Sequence, residues 1–486
     1  MTRCLAGLTA VLILLAVICP VCCEAPAESS RLLDMSDVLD YIAVDLTFSP
    51  DTEDAIQAEQ TLRLTNLTGD DLTDIVLRSM TGAYLTQATS PAASAELMAA
   101  CYPKGFDPGG VSVLSCLILE EDCTWAWTDA ARTVLTVTPA HPWKHGETLT
   151  LVLTWKARIP CCRSRFGHTD GAWVLGNCIP LPAVYQDGTF RTDPYVSVGD
   201  PFLSACMNWH VRVHLPDGYA AVGSAIPRMQ ASTAIFEAHG LRDFTLVVCA
   251  SPAHVRGTAE GISIDCYASD TARAQSLLTL AENALCVHTA AFGPLIYPGV
   301  TLIETDFPFS GMEYPRLVLI GRDVLDAGGD DLEETVVHEL AHQWFAMQVG
   351  SDSFCHAWQD EALCEYAYLQ YLKACYGEAR MQKKIASFIV PSLRMRLSAS
   401  LTPESPLYAF RDLREYSLVV YGRGTALFVA LDEALGTQVL CAGLADYCAD
   451  CALRIADPMD LITALSRAAQ TDLTPLFSEY LATPRR

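Results

Sequence analysis

The stretch His338-Glu339-Leu340-Ala341-His342 sets two imidazoles four residues apart, with a carboxylate beside the first. On a helix, residues i and i+4 lie one turn apart on one face, so both rings can aim at a single point. Imidazole is a common ligand of divalent metals, and Glu339 is placed to take a proton from water that a metal has acidified. Hydrolytic zinc commonly takes three protein ligands and leaves a fourth position for water; two histidines and a glutamate are one such set. The third ligand must come from elsewhere. Eighteen residues separate His342 from Glu361, within Trp358-Gln359-Asp360-Glu361-Ala362-Leu363-Cys364-Glu365-Tyr366. A second helix folded back on the first would bring a carboxylate to the histidines. The residues alone leave Asp360, Glu361 and Glu365 all open for that role.

Asp331 to Val349 reads as one long helix, with acidic residues in its first turns where the helix dipole favours them. Thr271 to Phe292, Asp360 to Tyr376 and Tyr416 to Leu435 read as further helices, and Val300 to Glu304 as a strand. Upstream, from about Leu39 to Ala250, the pattern is that of strands. Thr148 to Trp155 alternates, with Leu149, Leu151, Leu153 and Trp155 on one face. Trp209 to Leu215 does the same and ends at the turn Pro216-Asp217-Gly218; His210 and His214 fall on its polar face and read as solvated. Short alternating runs spaced by Gly, Pro and Asp predict an all-β sandwich. The boundary between the two textures falls near residues 250 to 260. No internal repeat or low-complexity tract stands out.

A chain of 486 residues exceeds what one core usually organises. Apolar residues at 51% and charged residues at 18% exclude widespread disorder. The net charge of -25 repels phosphate backbones, so no nucleic-acid partner is expected. Arg3 followed by the apolar run Leu5 to Cys23 reads as a signal peptide or membrane anchor over residues 1–27. Ala25-Pro26-Ala27 offers a cleavage pattern, and Cys22 and Cys23 offer sites for a lipid tether. The expectation is export, as a secreted protein or on the extracellular face of a membrane. Sixteen of the twenty cysteines lie beyond this leader, and in an oxidising compartment some are expected to pair. Cys161 and Cys162 are adjacent. Cys448 and Cys451 form a lone CxxC, which reads as a disulfide or as buried thiols rather than a metal site.

Four motifs in order resemble those of the M1 family of zinc metallopeptidases, the gluzincin aminopeptidases. HELAHQW, eighteen residues and Glu361 match the pattern HExxH-x18-E. WQDEALCEY is similar to W-x-x-E-G-F-A-E-Y, with Ala362, Leu363 and Cys364 in place of Gly, Phe and Ala. Ser310-Gly311-Met312-Glu313-Tyr314-Pro315 resembles the G-x-M-E-N strand, with Ser310 and Tyr314 as departures. Tyr421-Gly422-Arg423-Gly424 resembles Y-x-K-G, Arg423 keeping the lysine's charge, and Tyr416 five residues earlier also fits. Asp472 to Phe477 is similar to the close of the family's catalytic module, so the resemblance spans roughly residues 40 to 486.

The resemblance implies a multidomain chain: an N-terminal all-β sandwich over 28–252, then an α+β, thermolysin-like, mostly helical catalytic domain over 253–486. It implies one Zn2+ per chain held by His338, His342 and Glu361, with Glu339 as general base and Tyr421 donating to the oxyanion. It further implies that Glu313 binds the substrate's free α-amine, with Gly311, Met312 and Tyr416 also lining the substrate site. Glu334, one turn before His338, is a candidate to orient a ligand from behind. Only about fifty residues follow Gly436, so the expected form is a short one without the large C-terminal helical domain of longer relatives. The expected activity is removal of N-terminal residues from peptides. An endopeptidase with the same centre and a catalytically silent peptide-binding module are the alternatives, and oligomeric state is left open.

Overall fold

In the computed structural model, residues 39–53, 55–92, 94–169, 171–397 and 400–482 are described; the leader expected over 1–27 lies outside them. Alternating apolar positions build the first half. Thr148–Arg158 buries every second side chain, including Leu149, Leu151, Leu153 and Trp155, as the sequence predicts. It sits in a seven-stranded sheet whose order is Arg228–Gln230, Thr233–Leu241, Met207–His214, Tyr41–Phe48, Ile56–Thr65, Thr148–Arg158, Gly110–Ile118. All neighbours are antiparallel except Tyr41–Phe48 and Met207–His214, which run parallel. Two four-stranded sheets share its core: Leu77, Leu135 and Val137 from one, and Leu175, Leu246 and Val248 from the other, join Ile42, Leu62, Leu153 and Val211 in one buried cluster. These layers bury the apolar face of each sheet against another, as the alternation requires.

Between Ala250 and Ala253 the chain leaves the last of these sheets and enters a five-stranded one. Its order is Ala253–Ala259, Ile262–Ala268, Gly299–Thr305, Leu317–Gly321, Gly311–Tyr314. Ile262–Ala268 and Gly299–Thr305 pair in parallel, and parallel neighbours need a crossover. Helix α1 (Thr271–Phe292) supplies it, with Asp270 capping its first turn and Gly293 ending it at φ 82°. Gly311–Tyr314 is the edge strand, antiparallel to Leu317–Gly321. No helix among the described residues is long and apolar enough to cross a membrane.

Helix α2 (Gly329–Ala341) and helix α3 (Trp358–Tyr376) pack against each other and against α1. Here the predicted helix Asp331 to Val349 is corrected: α2 stops at its C-cap, His342. The amide of Gln343 is the reason. Its Nε2 donates to Tyr314 O (3.1 Å) and its Oε1 accepts from Arg316 N (2.8 Å), tying this turn to the sheet. The chain then reverses through Ala346 at φ 125°. The predicted helix from Tyr416 to Leu435 is also corrected. A short helical turn, Leu413–Tyr416, runs into a π-helix, Ser417–Arg423, before helix α4 (Gly424–Leu435) begins.

The expected cysteine pairing is not found among the described residues: Cys448 and Cys451 form no disulfide, and most of the cysteines there are buried in the core.

Candidate active site

Two helices make the centre. α2 presents His338, its C-cap presents His342, and the first turn of α3 returns Glu361 to both. His338 Nε2, His342 Nε2 and Glu361 Oε2 form a nearly equilateral triangle with edges of 3.2, 3.2 and 3.3 Å. Tetrahedral zinc with ligands at about 2.0–2.2 Å sets neighbouring donors about 3.3–3.6 Å apart, so the triangle is close to the right size. The protonation pattern agrees. His342 Nδ1 donates to Phe345 O at 3.0 Å, which leaves its Nε2 as a bare lone pair. His338 Nδ1 lies 3.3 Å from Glu365 Oε1, an electrostatic contact without good hydrogen-bond angles that favours the proton on that side. Three acceptor atoms therefore converge where only a cation satisfies all of them. Burial alone would raise the Glu361 carboxyl, but the two imidazoles outweigh it and hold the group well below the usual carboxylate range.

The rival carboxylates are sorted by this geometry. Glu365 stands behind His338. Asp360 turns away, accepting from Ser351 Oγ at 2.6 Å and from the Glu361 amide. Glu334 does not hydrogen-bond a ligand; it pairs with Lys384. Glu365, rather than Glu334, is the carboxylate that faces the outer nitrogen of His338. His214 is distant from all this and pairs with Asp45 at 2.7 Å.

Glu339 lies beside the triangle, buried, with Oε2 lacking any hydrogen-bond partner. Burial first, and then the neighbouring Glu313, push its carboxyl well above the usual range. Gly311 on the edge strand lies against it: a Cβ there would come within 2.5 Å of Glu339 Cγ. Gly311 and Glu313 share the strand face toward the centre, and a carboxylate oxygen of Glu313, one of Glu339 and a ring nitrogen of His342 all lie within 4.8 Å of one another. Tyr314, which departs from the motif, points into the core. Its hydroxyl donates to Asn177 Oδ1 at 3.2 Å, and it packs where only a glycine, Gly176, leaves room.

Tyr416 and Tyr421 both reach the triangle. On an α-helix, residues five apart point roughly 140° away from each other. The π-turn, closing i to i+5, removes that divergence. Tyr416 Oη donates to Glu361 Oε1 at 3.4 Å. Tyr421 stacks on the His338 ring, with centroids 5.6 Å apart and planes at 17°. Arg423 serves the packing, since its Nε and one terminal nitrogen donate to the carbonyls of Ser392 (3.2 Å) and Met395 (2.7 Å). Gly424, against Ala362, lets α4 pack closely on α3.

His338, His342, Glu361, Glu339, Gly311, Glu313, Tyr416 and Tyr421 line one cleft of about 500 Å³, together with Met312, Phe307, Phe309 and Leu413. Its far wall comes from loops of the N-terminal half, carrying Arg165, Gly199 and Asp200, and was not legible in the sequence. Arg165 and Asp200 form a short ion pair there. Arg165 also donates from Nε to Met312 Sδ at 3.0 Å and covers the Phe202 ring at 5.4 Å. Burial raises the Asp200 carboxyl, Arg165 opposes this, and Glu313 and Glu361 add to it, leaving it at about 7. Neither residue carries a local spacing signal, because each meets the site only through tertiary packing.

Residues 296–480 match the model of the peptidase family M1 domain. Human aminopeptidase B is 26% identical over 181 residues, which is 34% of this chain and 26% of that protein. Membrane alanyl aminopeptidase of Heliothis virescens is 28% identical over 142 residues, 27% of this chain and 13% of that protein. The chain thus matches about a quarter or less of the length of these curated relatives. Among solved structures, an M1 zinc metallopeptidase from Deinococcus radiodurans superposes with a TM-score of 0.67 at 16% identity, covering 92% of this chain and 94% of that one. A variant of that protein, solved with a bound Tyr-Ser-Ala substrate, gives a TM-score of 0.65 at 16% identity over 92% and 94% of the two chains. At that identity the likeness is one of fold: an N-terminal β-sheet region followed by a mixed, largely helical one.

Proposed function

From the match of residues 296–480 to the peptidase family M1 domain, we propose that the chain is a zinc-dependent aminopeptidase of that family, with one zinc ion held by His338, His342 and Glu361. The observation that carries this reading is the convergence of three bare donor atoms, 3.2–3.3 Å apart, beside a buried carboxylate with an unpartnered oxygen. When bound, zinc supplies Lewis-acid polarisation of a carbonyl and acidification of water.

The chain's own residues do the rest. Glu339 Oε2, free of partners and close to the triangle, takes the proton from the attacking water and delivers it to the leaving amine. Its raised affinity for a proton suits both halves of that transfer. Tyr421 Oη keeps its proton, because burial and then Glu361 oppose ionisation. It can therefore donate to the oxygen that gains charge in the transition state. Glu313 binds the protonated α-amine, which fixes the first peptide bond at the centre and disfavours peptides lacking that charge. Tyr416 steadies Glu361. The apolar run Leu5 to Cys23 supports an exported protein as part of the same proposal.

A peptide pair, one with a free and one with an acetylated N-terminus, tests the reading on zinc-loaded protein with and without chelator. Stepwise loss of N-terminal residues from the free form alone, abolished by chelation, is the expected result. Internal cleavage of both forms supports an endopeptidase instead, and cleavage of neither supports a silent binding module.

A further inference from the structure

We propose that Glu404 is a positioning residue for the hydrolytic centre: its carboxylate ties the head of the helix that carries Glu361 to the segment that seats Tyr416. This rests on the zinc aminopeptidase reading and adds to it a residue that does not itself line the cleft. Glu404 Oε1 accepts from Trp358 Nε1 at 2.7 Å, and Glu404 Oε2 accepts from His356 Nδ1 at 2.8 Å. Trp358 opens α3 about one turn before Glu361 and is fully buried. His356 ends the short helix Ser353–His356 just ahead of it. Both oxygens of one carboxylate are thus engaged by rings at the approach to the ligand-bearing helix. Two such bonds to a carboxylate fix direction as well as distance.

What Glu404 fastens is the segment from Leu401 to Phe410, which contains no strand and a single short helical turn, Leu407–Ala409. Ordering so irregular a segment costs conformational entropy that its contacts must offset. Leu401, Leu407 and Phe410 are buried all the same. A Cβ on Gly199 would come within 2.6 Å of Leu407 and 3.0 Å of Tyr416, so this glycine, at φ 69°, lets both side chains close on the rim of the cleft. The Phe410 ring stands edge-on to Tyr416, with centroids 5.5 Å apart. Tyr416 in turn donates to Glu361 Oε1 at 3.4 Å. The path of contacts leaves α3 at Trp358, runs through Glu404 and its segment to Tyr416, and returns to α3 at Glu361. Its anchor is held from the other side as well. Asp352 caps the short helix, accepting from Cys355 N at 3.2 Å, and pairs with Arg191 of the N-terminal half at 2.7 Å. Without Glu404, Leu407 and Phe410 keep apolar neighbours but lose the tie that sets their position, and Tyr416 gains room to leave Glu361.

Zinc affinity of the full chain, read by competition with a chromogenic chelator, tests this without turnover. Glu404→Ala should weaken zinc binding about three- to tenfold, less than the loss of a group that touches a ligand directly. On a Tyr416→Phe background, itself weakened, the same change should cost little more, because both act through one contact. The full factor on that background would overturn the proposal. So would a lower thermal midpoint in Glu404→Ala with zinc affinity intact, which is the signature of packing alone. Should Glu404→Ala not fold, His356→Ala removes one arm of the bridge and enters the same cycle under the same two criteria. On a peptide with a free N-terminus, kcat should fall by a similar factor with KM little changed. If the original protein releases no N-terminal residue, the aminopeptidase reading fails, while the zinc cycle still decides the role of Glu404.

Discussion

The Nε2 atoms of His338 and His342 stand 3.2 Å apart, and the outer nitrogen of each ring faces an acceptor, Glu365 for His338 and Phe345 O for His342. Two lone pairs so placed repel unless a cation lies between them. The groups behind the rings therefore matter to metal affinity. Glu365→Gln should weaken zinc binding about 10–100-fold, the usual effect of losing a partner behind a ligand. Glu361→Gln should weaken it more. Competition with a chromogenic chelator gives both numbers, and equal affinity in the Glu365 variant would remove that residue from the metal's support.

Glu339→Gln removes the base and keeps the ligands. Zinc content should be unchanged while kcat falls by roughly 10²–10⁴. Elemental analysis and single-turnover rates on the same sample check this, and undiminished turnover would exclude Glu339 as base.

Gly311→Ala tests the placement of that base from the opposite side. The added methyl would lie 2.5 Å from Glu339 Cγ, so either the strand or the carboxylate must shift. A misplaced catalytic group can cost about 10²-fold in rate. The expected result is a fall in kcat with zinc retained and with little change in thermal midpoint. Retention of full activity would mean that the edge strand yields without cost.

Tyr421→Phe should lower kcat by about 10²–10³, as loss of one donor to a developing oxyanion does, with peptide binding preserved. Tyr416→Phe should act through Glu361 and shift zinc affinity as well as rate. Identical behaviour of the two variants would contradict the separate roles that the π-turn gives them.

Much of this was legible in the sequence for a physical reason. Thr271–Phe292 carries its own cap and stop, Asp270 and Gly293, and the helix predicted there matches residue for residue. Spacing located His338, His342 and Glu339 because a metal site on a helix must obey the helix period. What failed depended on partners distant in sequence. The run from Gln343 onward is apolar enough to continue a helix, yet hydrogen bonds to Tyr314 and Arg316 stop it. The π-turn between Tyr416 and Tyr421 has no local signature. Arg165 and Asp200 come from the other half of the chain, and no spacing rule connects them to Glu313. The expected disulfides rested on compartment and count, which say nothing about which sulfurs the packing brings to bonding distance.

The most direct test of the central claim is zinc stoichiometry on purified, folded chain after incubation with zinc and removal of excess metal. One zinc per chain is the predicted value, falling to near zero in a His338→Ala, His342→Ala double variant whose circular dichroism is unchanged. No retained zinc in the original protein, or equal retention in the double variant, would contradict a metal held by His338, His342 and Glu361.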